Sequence, residues 1–508
     1  MANSASIDAS ATDNGNGGKV VLWSDVRNAD SVTSALGSIK ATSGVNGGDG
    51  GQVETSGHAI NMAGFRVDTR SVSGAGGKTG LWLIDPYDYT IGATEASSIT
   101  TALSTSNVKV TTTANNASQG SNGNSGSNGD ITVNAPITSG SANSLTLTAV
   151  RDISLSASSD VSLGGGFILN AGRTISLASN VTTTGAQTYN GAVSLGAATT
   201  LASTSSGNIT FGSTLNGAYT LAVNTSGATT FTGAVGGTAA LTSLTTDAGG
   251  TVAINGGAVT TTGAQSYGEA ATLGANTTLT STSNGAITFG DTLNGAYTLA
   301  VNTSGATTFT GAVGGTNALT SLTTNAGGSV AINGGAVTTT GAQSYGEAAT
   351  LGAATTLTSS NSGDITFGDT LNGAYTLAVN TSGATTFTGA VGGTTALTSL
   401  TTDAGGTVTI NGGAVNTTGA QSYGEAATLG AATTLSSTNS GDITFGNTLN
   451  GAYTLAVNTS GTTTFTGAVG GTAALTSLTT DVGGTVAING AAVTTTGAQS
   501  YGEAATLG

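Results

Sequence analysis

Residues able to do acid–base or metal chemistry are few in this chain of 508 residues, and their spacing is unusual. Glu269, Glu347, Glu425 and Glu503 recur at intervals of 78 residues. Paired carboxylates could serve a glycosidase, but an enzyme needs one unique cluster rather than four copies. A second acid is not kept alongside them, because the equivalent positions read Ser213, Asp291, Asp369 and Asn447. A lyase acting on polyuronates would also want Arg or Lys to hold its substrate, and the repeats have neither. His58 is the single histidine and cysteine is absent, which excludes a multi-His zinc site and leaves a His-based triad without support. "GAGGKTG" (74–80) resembles a phosphate loop, but the motif needs glycine where Val72 stands, and the apolar run "LWLID" follows instead of a helix pattern. It reads as a glycine turn feeding a strand. "NGGDGG" (46–51) is one isolated copy without the spacing of calcium-binding nonapeptides, and it also reads as a turn. The recurring "VNTSG" places Asn224, Asn302, Asn380 and Asn458 in glycosylation sequons, although a Thr/Asn ladder at a turn explains the motif equally well. No catalytic residue, cofactor or metal ligand is assigned, and the chain is expected not to be an enzyme.

Charge and composition narrow the classes further. All nine basic residues lie at or before Arg173, and eleven acidic residues follow it, within a net charge of −15. That surface cannot neutralise phosphates, so nucleic acid and anionic lipid are excluded as partners for two-thirds of the chain. No apolar run is long enough for a transmembrane helix, and the first residues lack the basic and apolar regions of a secretory signal. Glycine supplies 83 residues and proline 2, while charged residues make up only 6%. Disordered chains are usually poor in apolar residues. This one is 37% hydrophobic, and its valines, leucines and phenylalanines keep a fixed schedule.

That schedule is an internal repeat. "TTTGAQSYGEAATLG" stands at 260–274, 338–352 and 494–508, and its central glycine falls at Gly185, Gly263, Gly341, Gly419 and Gly497. Tyr219, Tyr297, Tyr375 and Tyr453 keep the same spacing of 78, as do Phe231, Phe309, Phe387 and Phe465. Inside each unit short runs alternate apolar and polar residues between Gly, Asn and Ser turns, as in Ile287, Phe289 and Leu293 followed by Tyr297, Leu299 and Val301. Four such pieces per unit suggest about 20 residues per coil of a stacked solenoid. A propeller blade of roughly 40–50 residues fits a 78-residue unit poorly. An all-β parallel β-helix suits the sequence best, because each coil then stacks like residues into ladders and needs only a narrow core. At that coil length the chain would make about 25 coils. The repeats occupy 183–508, four complete and a truncated fifth; degenerate coils fill 136–182, and a polar Ser/Asn/Gly-rich excursion lies at 93–135. Polar residues of the repeated phrase are expected on the solvent side, with Tyr267 and Leu273 inward.

Residues 1–92 stand outside the repeat and carry three ordered segments: "GGKVVLWSD" (17–25), "GGDGGQVETSG" (47–57) and "GAGGKTGLWLIDPYDYTIG" (74–92). The matching residues are Gly17, Gly18, Val20, Trp23, Ser24 and Asp25; Gly47, Gly48, Gly50, Gly51, Val53, Glu54, Ser56 and Gly57; and Leu83, Asp85, Pro86, Thr90 and Ile91. In this order they resemble the filamentous-haemagglutinin-like exoproteins of two-partner secretion systems in Gram-negative bacteria. Ile84 departs from the family's second leucine. The resemblance implies a right-handed parallel β-helix, an outer-membrane transporter as export partner, a secreted or cell-surface location and a role in adhesion. The expected function is the shaft of an adhesin, with glycans or cell-surface receptors as candidate ligands. A β-helical carbohydrate-active enzyme and a passive surface-layer or matrix scaffold are the alternatives. The family's amino-terminal secretion domain and an atypical capping coil are not found here, so the chain is expected to be a segment of something longer.

Overall fold

Short β-branched runs separated by glycine turns give the chain a parallel β-solenoid, seen in a computed structural model that describes residues 1–72, 76–112, 115–116, 120–121, 128–490 and 492–508. The chain is all-β, with 2% helix, and forms about 19 coils of roughly 22 residues. The expected coil of about 20 residues suits the repeats; the earlier coils are longer, which lowers the count. It divides into two compact units, Met1–Gly256 and Gly257–Gly508.

In the first unit the three motif segments are successive rungs of one sheet. Lys19–Trp23 pairs in parallel with Gln52–Gly57, which pairs with Leu81–Pro86, so Val20, Val53 and Trp82 stand in line. The glycines that lead into them have a steric cause. A Cβ on Gly51 would lie 2.2 Å from the Gly18 carbonyl oxygen, and one on Gly80 would lie 1.9 Å from that of Gly51. Later rungs close up: Ile153 pairs with Ile175, the 22-residue restart visible in the sequence.

Ala93–Leu103, at the start of the segment read as a polar excursion, is an α-helix. Glu95 accepts the Gly92 N–H at 3.1 Å, and the helix buries Ala96, Ile99, Ala102 and Leu103 at helical spacing. Its Ser/Thr-rich composition hid that stripe. Most of 113–127, at the heart of the supposed flexible loop, lies outside the described residues.

The second unit has three ladders of parallel strands. One begins at Ala258–Thr261, the next at Gln265–Tyr267 and the third at Ala270–Leu273. Alternate residues point inward, as the buried–intermediate–buried pattern of Ile287–Phe289 records. The repeat was expected to hold four coils. Instead it holds ten strands, from Ala258–Thr261 to Ser329–Ile332, and an eleventh position at Val313, which bridges to the strand Ala336–Thr339 as does Leu319. With three positions per coil, one 78-residue copy is three and two-thirds coils. Ladder pairing makes the remainder visible. Ile287 pairs with Thr307, Thr307 with Val330, Val330 with Ala349, and Ala349 with Leu371, which lies six residues past Ile365, the copy of Ile287.

Each copy is therefore turned by one face. Gln343–Tyr345 joins the first ladder, pairing with Leu322–Thr324 and Ile365–Phe367. Gln421–Tyr423 joins the third, and Gln499–Tyr501 returns to the second, the ladder of Gln265–Tyr267. The phrase does not recur on one side every fourth turn, as four coils per copy would require. It winds around the solenoid and completes the circuit in three copies.

Candidate functional site

Chemistry-bearing side chains gather in two settings, one among the motif strands and one inside the repeats. In the first, Glu54 and Asp85 are 3% and 2% exposed, although both stand on outward positions of their strands. Lys19 reaches Glu54 at 3.3 Å, and the Ser56 hydroxyl donates to the same carboxylate at 3.1 Å. Trp82, fully buried, donates its indole N–H to the Thr55 hydroxyl at 3.2 Å. Asp85 Oδ1 has no hydrogen-bond partner. Burial, and secondarily the negative charge of Glu54, pushes the Asp85 carboxyl up to about 7, against the pull of Lys109.

A buried carboxyl with a raised pKa beside a second acidic side chain is the raw material of acid–base catalysis. The nearby shallow groove, however, is walled by residues including Asn16, Lys19, Gln52, Leu81 and Asn107, and by neither carboxyl. Asp85 is buried, so its titration bears on the stability of the fold. Because the folded-state pKa of Asp85 is raised above the unfolded value of about 3.9, its contribution is fully favourable below that value and is lost as pH rises through about 7. Asp85→Asn should raise the melting temperature of the chain at pH 7.5 and flatten its pH dependence between about pH 4 and 7. A melting profile that the substitution leaves unchanged would contradict this assignment.

Inside the repeats the glutamine and glutamate of the phrase are not on the solvent side, although its Ser344 and Thr350 stand on outward positions. Gln265, Gln343 and Gln421 are fully buried, and Glu269, Glu347 and Glu425 are each 2% exposed. Gln343 Nε2 donates to the Val337 carbonyl (3.2 Å), the Thr358 carbonyl (2.9 Å) and the Thr339 hydroxyl (3.3 Å), while its Oε1 accepts from the Tyr345 hydroxyl at 3.0 Å. Gln421 repeats the set on another face. Above each such tyrosine two phenylalanines stack: Tyr345 on Phe367 (5.1 Å), and Phe367 on Phe387 (5.7 Å). Tyr267 and Leu273 face inward, as expected. Apolar periodicity found the tyrosine; nothing in it could mark the glutamine two residues earlier, except that this position shares the tyrosine's parity along the strand.

Among the buried glutamates, Glu425 accepts the Thr402 hydroxyl, whereas Glu347 Oε2 and the Thr324 hydroxyl have no hydrogen-bond partner; burial raises the pKa of both Glu347 and Glu425. They are interior groups rather than a substrate-facing row.

Other sequence candidates occupy structural posts. His58 stacks on Tyr87 at 4.7 Å and donates Nδ1–H to the Val26 carbonyl at 3.0 Å. Asp49 of "NGGDGG" accepts the Lys78 N–H at 2.7 Å, a turn contact. Gly80 leads directly into the strand Leu81–Pro86; residues 74 and 75 of "GAGGKTG" lie outside the described ones. Asn224, Asn302 and Asn380 are half-exposed and Asn458 is exposed, all on outward positions of their strands. Asn302 lies in register with Thr280 and Asn380 with Thr358, so the sequon asparagines extend outward Thr/Asn rows. Among the described residues no three acidic or histidine side chains converge as a metal site would require, and no helix is long and apolar enough to cross a membrane. No protein-family model matches the chain, and no curated protein matches it at a significant level.

Proposed function

We propose that this chain is a shaft segment of a secreted or surface-attached bacterial adhesin of the two-partner type, exported through an outer-membrane transporter and presenting surfaces for attachment to cells. The supporting observation is the winding repeat. Copies of one sequence direct the same outward rows of Thr, Asn and Ser to each of three faces in turn. A catalyst needs one cleft in one place, whereas an attachment shaft gains from offering like surfaces in every direction. The adjacency of the three motif strands fits the family resemblance of the first 92 residues.

Latex beads coated with the full chain test this reading on monolayers of epithelial and bacterial cells. Retention above that of beads carrying an unrelated β-solenoid is the expected result, with no reducing ends released from a panel of polysaccharides. Release of reducing ends would favour the carbohydrate-active enzyme. Background retention without release would favour a passive scaffold, and either outcome overturns the adhesin reading.

A further inference from the structure

This inference rests on the adhesive reading and gives it a site and a ligand class. Tyr297, Tyr375 and Tyr453 are 39–42% exposed, whereas the other Tyr and Phe side chains from Tyr267 to Phe465 are at most 1% exposed. Sequence periodicity alone would have sent these tyrosines inward with their neighbours. Each instead follows an Asn-Gly-Ala turn whose backbone is fixed. Gly295 has φ +132°, and a Cβ there would fall 2.5 Å from the Leu273 carbonyl oxygen. Asn294 Oδ1 accepts the Thr316 N–H at 2.9 Å. The Tyr297 N–H donates to the Gly295 carbonyl at 2.7 Å, and its own carbonyl accepts the Thr320 N–H at 2.9 Å. The same contacts hold Tyr375 and Tyr453, and within the first unit Tyr219. The backbone of such a corner is set before any partner arrives, which lowers the entropic cost of presenting its half-exposed ring.

The winding of the repeat puts the three tyrosines of the second unit at three different corners. Tyr297 lies between Leu293–Asn294 of the third ladder and Thr298–Asn302 of the first. Tyr375 joins the second to the third, and Tyr453 the first to the second. Successive rings are thus rotated by a third of a turn and, at about 4.8 Å per coil, raised by roughly 18 Å.

The chemistry around them selects the partner. Beyond Arg173 every charged side chain is acidic, so anionic polymers and a second copy of this equally negative surface are both repelled. The corner offers an aromatic face, with Thr and Asn groups on the adjoining strands for hydroxyls. Such a combination suits the apolar ring face and hydroxyl rim of an uncharged sugar. We propose that Tyr219, Tyr297, Tyr375 and Tyr453 are stacking sites for neutral glycans, offered in several directions so that polymeric ligands are held by many weak contacts.

The test uses the full chain on an array of neutral glucan, mannan and galactan polymers alongside acidic glycans, with circular dichroism to check the fold of each variant. Binding to at least one neutral polymer is expected. Tyr→Ala at all four positions should weaken it at least about tenfold, since avidity multiplies small contributions, while one Tyr→Ala should cost about threefold or less. Tyr→Phe at all four should retain most of the binding, because stacking needs only the ring. Binding to acidic glycans alone, or neutral binding unchanged in the fourfold Ala variant, would overturn the proposal. So would a failure to bind any neutral polymer, with or without tyrosine-dependent self-association in sedimentation velocity. Coated beads separate the two claims. If the fourfold variant still adheres to cells as wild type does, the shaft reading stands and the tyrosine sites fall. If wild-type beads never adhere, the shaft reading falls first.

Discussion

Phe367→Ala should destabilise its part of the solenoid by about 3–5 kcal/mol. The ring is fully buried and sits between Tyr345 and Phe387 in a stack with centroid spacings of 5.1 and 5.7 Å. Removing it takes a partner from both neighbours and leaves a void between coils that the backbone ladder prevents from collapsing. Because a solenoid's stability is nearly a sum of local and nearest-neighbour terms, the loss should be regional. Hydrogen exchange should speed up by about a hundredfold or more, at about 1.4 kcal/mol per tenfold, for amides in 343–345, 365–367 and 384–387. Thr366, one residue away on the outward side, should tolerate alanine within about 0.5 kcal/mol. Equal effects at the two positions would mean that the inward alternation is wrong.

Gln343→Leu should be nearly as damaging although it preserves volume. The side chain is fully buried, and leucine would strand the Val337 and Thr358 carbonyls and the Tyr345 hydroxyl without their present partner. At about 1–3 kcal/mol for each buried group left unsatisfied, a total near 3 kcal/mol is expected after partial relaxation. Denaturation midpoints of the variant, combined with Tyr345→Phe in a double-mutant cycle, measure the coupling. Additive losses would show that the glutamine is not the hub of this network.

Those two residues also mark what the sequence disclosed and what it concealed. Alternation around Ile287 and Phe289 sufficed to identify inward positions, and the 78-residue identity identified the solenoid. The three motif segments of the first 92 residues were visible as strands entered through glycines, and they pair as such. Gln343 and Glu347 were misassigned because a polar side chain in a Thr/Ser-rich phrase looks solvated; only the folded coil, together with its neighbour, reveals the carbonyls and hydroxyls around Gln343. The helix at Ala93–Leu103 was lost for a similar reason, since alanine supplies two of the four apolar residues of its buried stripe. The winding escaped because it depends on pairing rather than on local pattern. Val313 and Leu319 both bridge to the strand Ala336–Thr339, so a stretch that resembles two strands fills one position. One position fewer per copy turns a stack of identical coils into a rotating display. On that rotation depends the idea that one repeated sequence serves every side of the shaft.

The most direct measurement of that rotation is the distance between spin labels at Ser344→Cys and Ser422→Cys, in a chain that has no cysteine of its own. Both serines are on outward positions of equivalent strands, one in the first ladder and one in the third. If each copy turns by one face, the axial rise of roughly 18 Å is joined by a lateral displacement across the solenoid, and the distance should exceed about 25 Å. A narrow distribution near 19 Å, the rise of four coils stacked on a single face, would contradict the account.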